Sequence, residues 1–322
     1  MGISGDDIFF TSNNTSADDF KAAIDLNAII TIDDLTQVPV FIECLEGKPY
    51  ETVAVRYNPG ALKEGNFIIG SPLEAKYGMS TEQLIEAINL LKTANIHNFA
   101  LHTMVASNEL EGEYFAETAQ ILVGAAKQIE AEVGIEFVLL NLGGGFGIDY
   151  SRTAEPVDFV KIARSYKKAS DDLRSAPLVT ESGRFITGPH GYLVAKVRYV
   201  MHKYKDYIGL DASMQNLMRP GMYGAYHKIS ILGKEDDATA AYDVVGSLCE
   251  NNDKFAIDRE LPETVSPGDI AIINDVGAHG HAMGFNYNGL LRSAEVLLHE
   301  DGSSTLLRRA ETVDDYLDTV IF

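Results

Sequence analysis

The chain of 322 residues is short of two things, cysteine and positive charge. Its only cysteines, Cys44 and Cys249, stand far apart, which argues against a disulfide framework and for free thiols in a reducing compartment. Lysine and arginine number 26 against 47 acidic residues, a formal net charge of −21. Phosphate backbones and anionic bilayers would be repelled, so nucleic acid and membrane are excluded as partners. The acidity itself reads as a solvated surface. No apolar run reaches the ~18–20 residues of a membrane span. The N-terminus also lacks the basic-then-apolar pattern of a signal peptide, and a cytoplasmic location is expected. No repeat of clear period and no low-complexity tract is present.

What is there divides in two. Through residue ~190, short β-rich apolar runs alternate with amphipathic stretches. Candidate strands are Ile8–Thr11, Ala28–Ile32, Val53–Tyr57, Phe99–Thr103, Phe137–Leu142 and Leu178–Glu181. The spacing predicts helices over Thr81–Ala94, with a capping box from Ser80 and Gln83, and over Tyr114–Glu130. Such alternation implies parallel βαβ units. Polar residues crowd the C-terminal strand ends (Arg56, Asn58, His102, Asn141, Glu181), where an α/β barrel keeps its chemistry. Six strands are two fewer than a closed barrel needs, and an open six-stranded sheet is the structural alternative. After the Pro189-His-Gly191 region, short β-like runs are separated by Gly, Pro and acidic turns, with helical character only near Glu311–Thr319. This predicts an antiparallel β domain.

Five segments could carry chemistry. Leu142-Gly-Gly-Gly-Phe-Gly147 follows a buried strand, and its glycines would let backbone N–H groups approach a phosphate. The alternative is a tight strand-to-helix turn. Glu181-Ser-Gly-Arg184 could pair a carboxylate with a cationic ring nitrogen and an arginine with a phosphate, or form a surface ion pair. Met218-Arg-Pro-Gly-Met-Tyr-Gly-Ala-Tyr-His227 offers Arg219 and Tyr223 to a substrate carboxylate, or is a turn with exposed side chains. Gly246-Ser-Leu-Cys-Glu-Asn-Asn-Asp253 gathers a thiol and two acids on one polar turn. No acyl-transfer signature surrounds Cys249, so proton donation to a carbanion is the easier role for it, against that of an inert small hydrophobe. In Gly277–Gly289, His279 and His281 have no acidic or cysteine partner at metal-ligand spacing, and no metal is expected.

Together these segments resemble the fold-type III pyridoxal-phosphate decarboxylases, the group containing diaminopimelate, ornithine and arginine decarboxylases. The likeness runs from Phe10-Thr-Ser-Asn-Asn14 to Arg308-Arg-Ala-Glu-Thr312. Arg219-Pro-Gly-Met-Tyr223, Ser247-Leu-Cys-Glu250 and Asn286-Tyr-Asn288 fit the diaminopimelate branch best. The resemblance implies an α/β fold: a cofactor-binding (β/α)8-type barrel over residues 1–190, lacking its first two strands here, then a β domain over 191–322. It implies that Gly143, Gly144, Gly145, Arg184 and Tyr287 bind the phosphate of pyridoxal 5′-phosphate, with Ser107 a further donor. Glu181 would keep the pyridine nitrogen protonated. His102 belongs to the cofactor strand. Arg219 and Tyr223 would hold a substrate carboxylate, Glu250 the distal ammonium, and Cys249 would return a proton after CO2 leaves. Cys249 and Glu250 would serve a partner subunit's site, so a homodimer is implied.

Two departures from the family pattern stand out. The family's His-x-His-x-Gly-Ser reads here as His102-Thr-Met104-Val-Ala-Ser107, with a thioether in place of the ring-stacking imidazole. The family's Tyr-Ala-Val-Lys-Ala-Asn-like strand, which carries the Schiff-base lysine, has no counterpart. Lys196 and Lys76 fall in other contexts. The expected activity is decarboxylation of meso-diaminopimelate to L-lysine and CO2, with this chain a truncated form. Its two open sheet edges would then favour poor solubility or a partner chain. The alternatives are a decarboxylase of another basic amino acid or of carboxynorspermidine, and a non-catalytic binding or regulatory homologue.

Overall fold

A computed structural model describes residues 2–65, 70–153, 155 and 157–321. The chain forms two compact units, residues 1–147 with 156–182, and residues 148–155 with 183–322.

In the first unit six strands alternate with five helices. They are β1 (Phe9–Thr11), α1 (Ala17–Asp25), β2 (Ile29–Ile32), α2 (Gln37–Leu45), β3 (Thr52–Arg56), α3 (Thr81–Thr93), β4 (Asn98–His102), α4 (Gly112–Val133), β5 (Phe137–Asn141), α5 (Phe159–Asp172) and β6 (Leu178–Val179). All neighbours are parallel and the spatial order is β1 to β6 in sequence. The alternation along each strand sorts side chains onto two faces. Ile30, Ile32, Val53, Val55, Phe99 and Leu101 meet apolar residues from all five helices in one core. On the other face lie Ile29, Ala54 and Ala100 with Phe9 and Leu139. Helices confined to one face of a sequentially ordered parallel sheet are the topology of a barrel segment. A doubly wound sheet would reverse its strand order and carry helices on both faces, so that arrangement is excluded, although among the described residues the six-stranded sheet is open, with β1 and β6 at its edges. The predicted capping box at α3 is present, with the Ser80 hydroxyl accepting from Gln83 N–H and the Gln83 side chain accepting from Ser80 N–H.

The second unit comprises α6 (Arg184–Thr187), β7 (Tyr192–His202), β8 (Asp206–Leu210), α7 (Arg219–Tyr223), β9 (Ile229–Ile231), β10 (Thr239–Val245), β11 (Lys254–Pro262), β12 (Ile270–Asn274), β13 (Glu295–Leu298), β14 (Ser304–Arg308) and α8 (Val313–Leu317). Its main sheet runs β11-β10-β8-β7-β12-β9, and β13 pairs with β14 separately. The pairings are antiparallel except for β8 with β10. The excursion through α7 and β9 carries the chain back to the start of the sheet, so β10 enters beside β8 in the same direction. The domain is therefore a mixed sheet, mostly antiparallel. Its core is built on Val197, Ile208, Leu210, Tyr242, Val244, Phe255 and Ile273. Among the described residues no helix is long and apolar enough to cross a membrane.

Candidate functional site

In the first unit the polar strand ends lie side by side in one layer, Arg56 in register with His102 and His102 with Asn141. Arg56, ending β3, is buried and pairs with Asp33 just past β2, Nη1 to Oδ1 at 3.0 Å. Asp33 also accepts from Asn13 Nδ2 at 2.9 Å, and the Tyr77 ring lies 4.1 Å from the guanidinium. His102, ending β4, is fully buried. Its Nε2 stands 3.6 Å from Glu181 Oε1, too far for a hydrogen bond, and neither ring nitrogen has a partner among the described residues. Burial first and the Arg56 charge second push its pKa down to about 3, so the imidazole is neutral.

Asn141, ending β5, organises the layer. Its Nδ2 donates to Glu181 Oε1 at 2.8 Å, and its Oδ1 accepts from Gly143 N–H at 2.9 Å. One amide thus fixes both the glycine loop and the carboxylate. Gly143 and Gly145 take left-handed backbone angles, φ +66° and +98°. A Cβ at Gly143 would collide with the Thr103 carbonyl, and one at Gly144 with the Glu181 carbonyl. The triplet is therefore demanded first by close packing of neighbouring loops. Met104 Sδ accepts from Gly144 N–H at 3.1 Å, occupying one donor of the expected phosphate cradle. Ser107 lies half-buried on the same loop after β4.

The second unit holds two further clusters. Tyr150 is buried; its hydroxyl accepts from Arg184 Nη1 at 2.9 Å, and its ring lies 4.4 Å from the Arg219 guanidinium. Arg219 opens α7, is 4% exposed, and donates from Nη1 to His227 Nε2 at 2.6 Å. Among the described residues it makes no ion pair with a carboxylate. Burial pulls its pKa below the usual arginine value, and Arg184 adds to this. Tyr223, at the other end of α7, is exposed. The 218–227 segment is thus a short helix with Pro220 in its first turn rather than a plain turn.

The second cluster is the Gly246–Asp253 turn. Cys249 is exposed, with Glu250 oxygens 3.6 Å from Sγ, Tyr287 Oη at 3.8 Å and Asn288 Nδ2 at 3.4 Å. The Tyr287 hydroxyl holds the Glu250 carboxyl below its ordinary value, and Glu250 in turn raises the phenol. Tyr287, expected at the phosphate, therefore stands beside Cys249 and Glu250 of its own chain. Asp253 is buried and accepts from Met214 N–H at 2.6 Å and Leu248 N–H at 2.8 Å. It shapes the turn and presents no acid to a ligand. Among the described residues no three metal-type ligands gather. Asn141, Asp33 and Tyr150 went without a role at the sequence level. Asn141 was visible as a polar strand end, but Tyr150 sits in an irregular stretch with no local signal.

A family model described as the pyridoxal-dependent decarboxylase, C-terminal sheet domain, matches residues 23–277. The chain belongs to the pyridoxal-dependent decarboxylases. It is 39% identical over 319 residues to protein TabA of Pseudomonas amygdali pv. tabaci, covering 98% of this chain and 74% of TabA. The diaminopimelate decarboxylase of Methanothermobacter thermautotrophicus is 32% identical, with 98% of this chain and 75% of the relative covered. Among solved structures, diaminopimelate decarboxylase from Helicobacter pylori complexed with L-lysine superposes with a TM-score of 0.89. It is 26% identical, covering 98% of this chain and 79% of that one. The chain thus spans about three quarters of the length of these relatives.

The family's cofactor is pyridoxal phosphate. The layer around Asn141 suits its ring, because Glu181 is held from one side by the amide while its side chain stays 35% exposed. The attachment point is another matter. None of the strands β1–β6 carries a lysine.

Proposed function

We propose that this chain is a decarboxylase of the diaminopimelate type, acting on meso-diaminopimelate to give L-lysine and CO2. The observation that carries the cofactor side is the Asn141 amide tied at once to the glycine loop and to Glu181. Near-complete coverage by relatives named diaminopimelate decarboxylase supports the substrate. When bound, pyridoxal phosphate supplies the electron sink for the pair released as the carboxylate leaves. Glu181 holds the proton on the ring nitrogen. Gly143, Gly144, Gly145, Ser107, Arg184 and Tyr287 are phosphate ligands in this proposal, and His102 packs near the ring as a neutral group. Arg219 and Tyr223 take a substrate carboxylate, Glu250 takes the distal ammonium, and Cys249 Sγ delivers the proton. With these roles go a cofactor domain over 1–190, a β domain over 191–322, a homodimer with shared sites and a cytoplasmic setting.

The test is CO2 release from carboxyl-labelled meso-diaminopimelate with pyridoxal phosphate present, against ornithine, arginine and carboxynorspermidine. Release from meso-diaminopimelate alone, lost in Glu181→Ala, is the expected result. Release only from another substrate would overturn the substrate assignment. A second reading, a non-catalytic homologue, is favoured by the lack of a lysine on β1–β6. It predicts cofactor binding without CO2 release from any of the four.

A further inference from the structure

Among the described residues of the second unit, Arg219 is the one buried arginine held at its guanidinium by an imidazole, and the way it is held has a chemical consequence. A buried guanidinium normally finds a carboxylate. Here Nη1 donates to His227 Nε2 at 2.6 Å, and His227 Nδ1 lies 2.8 Å from the Asn274 carbonyl. A guanidinium can only donate and a carbonyl can only accept. The proton of His227 therefore sits on Nδ1, and the Nε2 lone pair faces Arg219. His227 is completely buried, with its ring edge-on to Tyr150 at 4.8 Å, while Tyr150 also lies 4.4 Å beneath the guanidinium. Among the described residues, the groups that fix Arg219 are thus neutral.

We infer that His227 is a positioning residue for Arg219, fixing the guanidinium through a neutral acceptor so that its full charge stays available to a ligand carboxylate. A carboxylate in the place of His227 would hold the arginine equally well and cancel that charge before the ligand arrived. The groups facing His227 agree: Arg219, Arg184 and Arg259 all oppose its protonation, the Asn274 carbonyl alone favours it, and burial keeps it neutral down to about pH 4. The inference rests on the proposed role of Arg219 as a carboxylate receptor, and its test separates the two.

Two substitutions divide the ring's contacts. In His227→Gln the side-chain oxygen can replace Nε2 as acceptor for Arg219. In His227→Asn the shorter amide can still donate to Asn274 O but falls short of the guanidinium. Two readouts are made on the full chain. The first is the Arg219 Nε–Hε cross-peak in a proton–nitrogen spectrum without ligand, identified by its loss in Arg219→Lys. The second is calorimetric affinity for meso-diaminopimelate with pyridoxal phosphate present. His227→Asn is expected to collapse the cross-peak towards the free-arginine position and to weaken binding about tenfold, as for one lost positioning bond. His227→Gln should keep the peak dispersed and the affinity within about twofold. A merely structural histidine would lower the unfolding midpoint alike in both variants, without this split, and that result overturns the inference. So does an undisturbed Arg219 peak in His227→Asn. If the unaltered chain binds no meso-diaminopimelate while the peak still splits the two variants, the substrate reading fails and the positioning stands.

Discussion

Asp253 shows how a residue's type can mislead where its burial does not. On the polar turn beside Cys249 it reads as a second site acid, yet it is 3% exposed and caps two backbone N–H groups from different segments. Burial raises its pKa in spite of those bonds. Asp253→Ala would leave two buried donors without an acceptor, and urea unfolding should show a loss of about 2–3 kcal/mol. An unchanged midpoint would mean that the turn holds itself. Met104 is the converse case, a residue whose departure from the family pattern is plain in sequence but whose contact is not. Its sulfur accepts from Gly144 N–H. In Met104→His that N–H is released and an imidazole stands where the family pattern His-x-His-x-Gly-Ser has its second histidine. Equilibrium dialysis should then find pyridoxal phosphate bound about 3–10-fold more tightly, the value of one aromatic stacking contact. An equal or weaker affinity would show that the thioether serves the cofactor as well as a ring does.

At the scale of elements, the parallel sheet was legible because each strand is a short, largely apolar run bounded by a helical stretch. All six expected strands appear within a few residues of their predicted ends. β11 and β14 carry no such signal in the sequence, for physical reasons. β11 is interrupted at Asp258, where φ is +48° and the pairing with β10 slips, so alternation fails midway. β14 is exposed along its whole length, so no burial pattern marks it. The candidate site was legible by residue type and not by assembly. Glu181 and the glycine triplet could be picked out, but not the single amide of Asn141 joining them, since that depends on β5 and β6 lying side by side. Nor could the pairing of Arg219 with Tyr150, about seventy residues apart. The glycine loop gives the test at this scale. Gly143→Ala forces a side chain onto a left-handed backbone and against the Thr103 carbonyl. The cost should be at least about 2 kcal/mol, seen as a lower unfolding midpoint even without cofactor. Unaltered stability together with lost pyridoxal phosphate binding would mean instead that the loop yields and that the glycine serves the ligand alone.

For the whole molecule, acid stability follows from two buried neutral imidazoles, one in each unit. His102 and His227 have pKa values pushed down to about 3 and about 4. An unfolded histidine titrates near 6.5, so between pH 6.5 and 4 the unfolded chain binds protons that the folded chain refuses. Stability must therefore rise with pH across that window and level off above it, and each unit should weaken on acidification. Between pH 7 and 4.5, His227 alone accounts for about 2 kcal/mol of this slope. The charge balance adds to it from below: Asp243, bound by Lys205 and Lys254, has a lowered pKa, so its contribution is present above the ordinary aspartate value and lost only at lower pH. The two sources separate by window and by mutation. In His227→Gln, urea unfolding at pH 7 and 4.5 should differ by about 2 kcal/mol less than in the unaltered chain, while the loss below pH 4 persists. If the difference between the two pH values is the same in both proteins, folded His227 takes up its proton as readily as an unfolded histidine does. Arg219 would then lose its neutral acceptor already on mild acidification, and burial would not be protecting the charge it keeps free for a carboxylate.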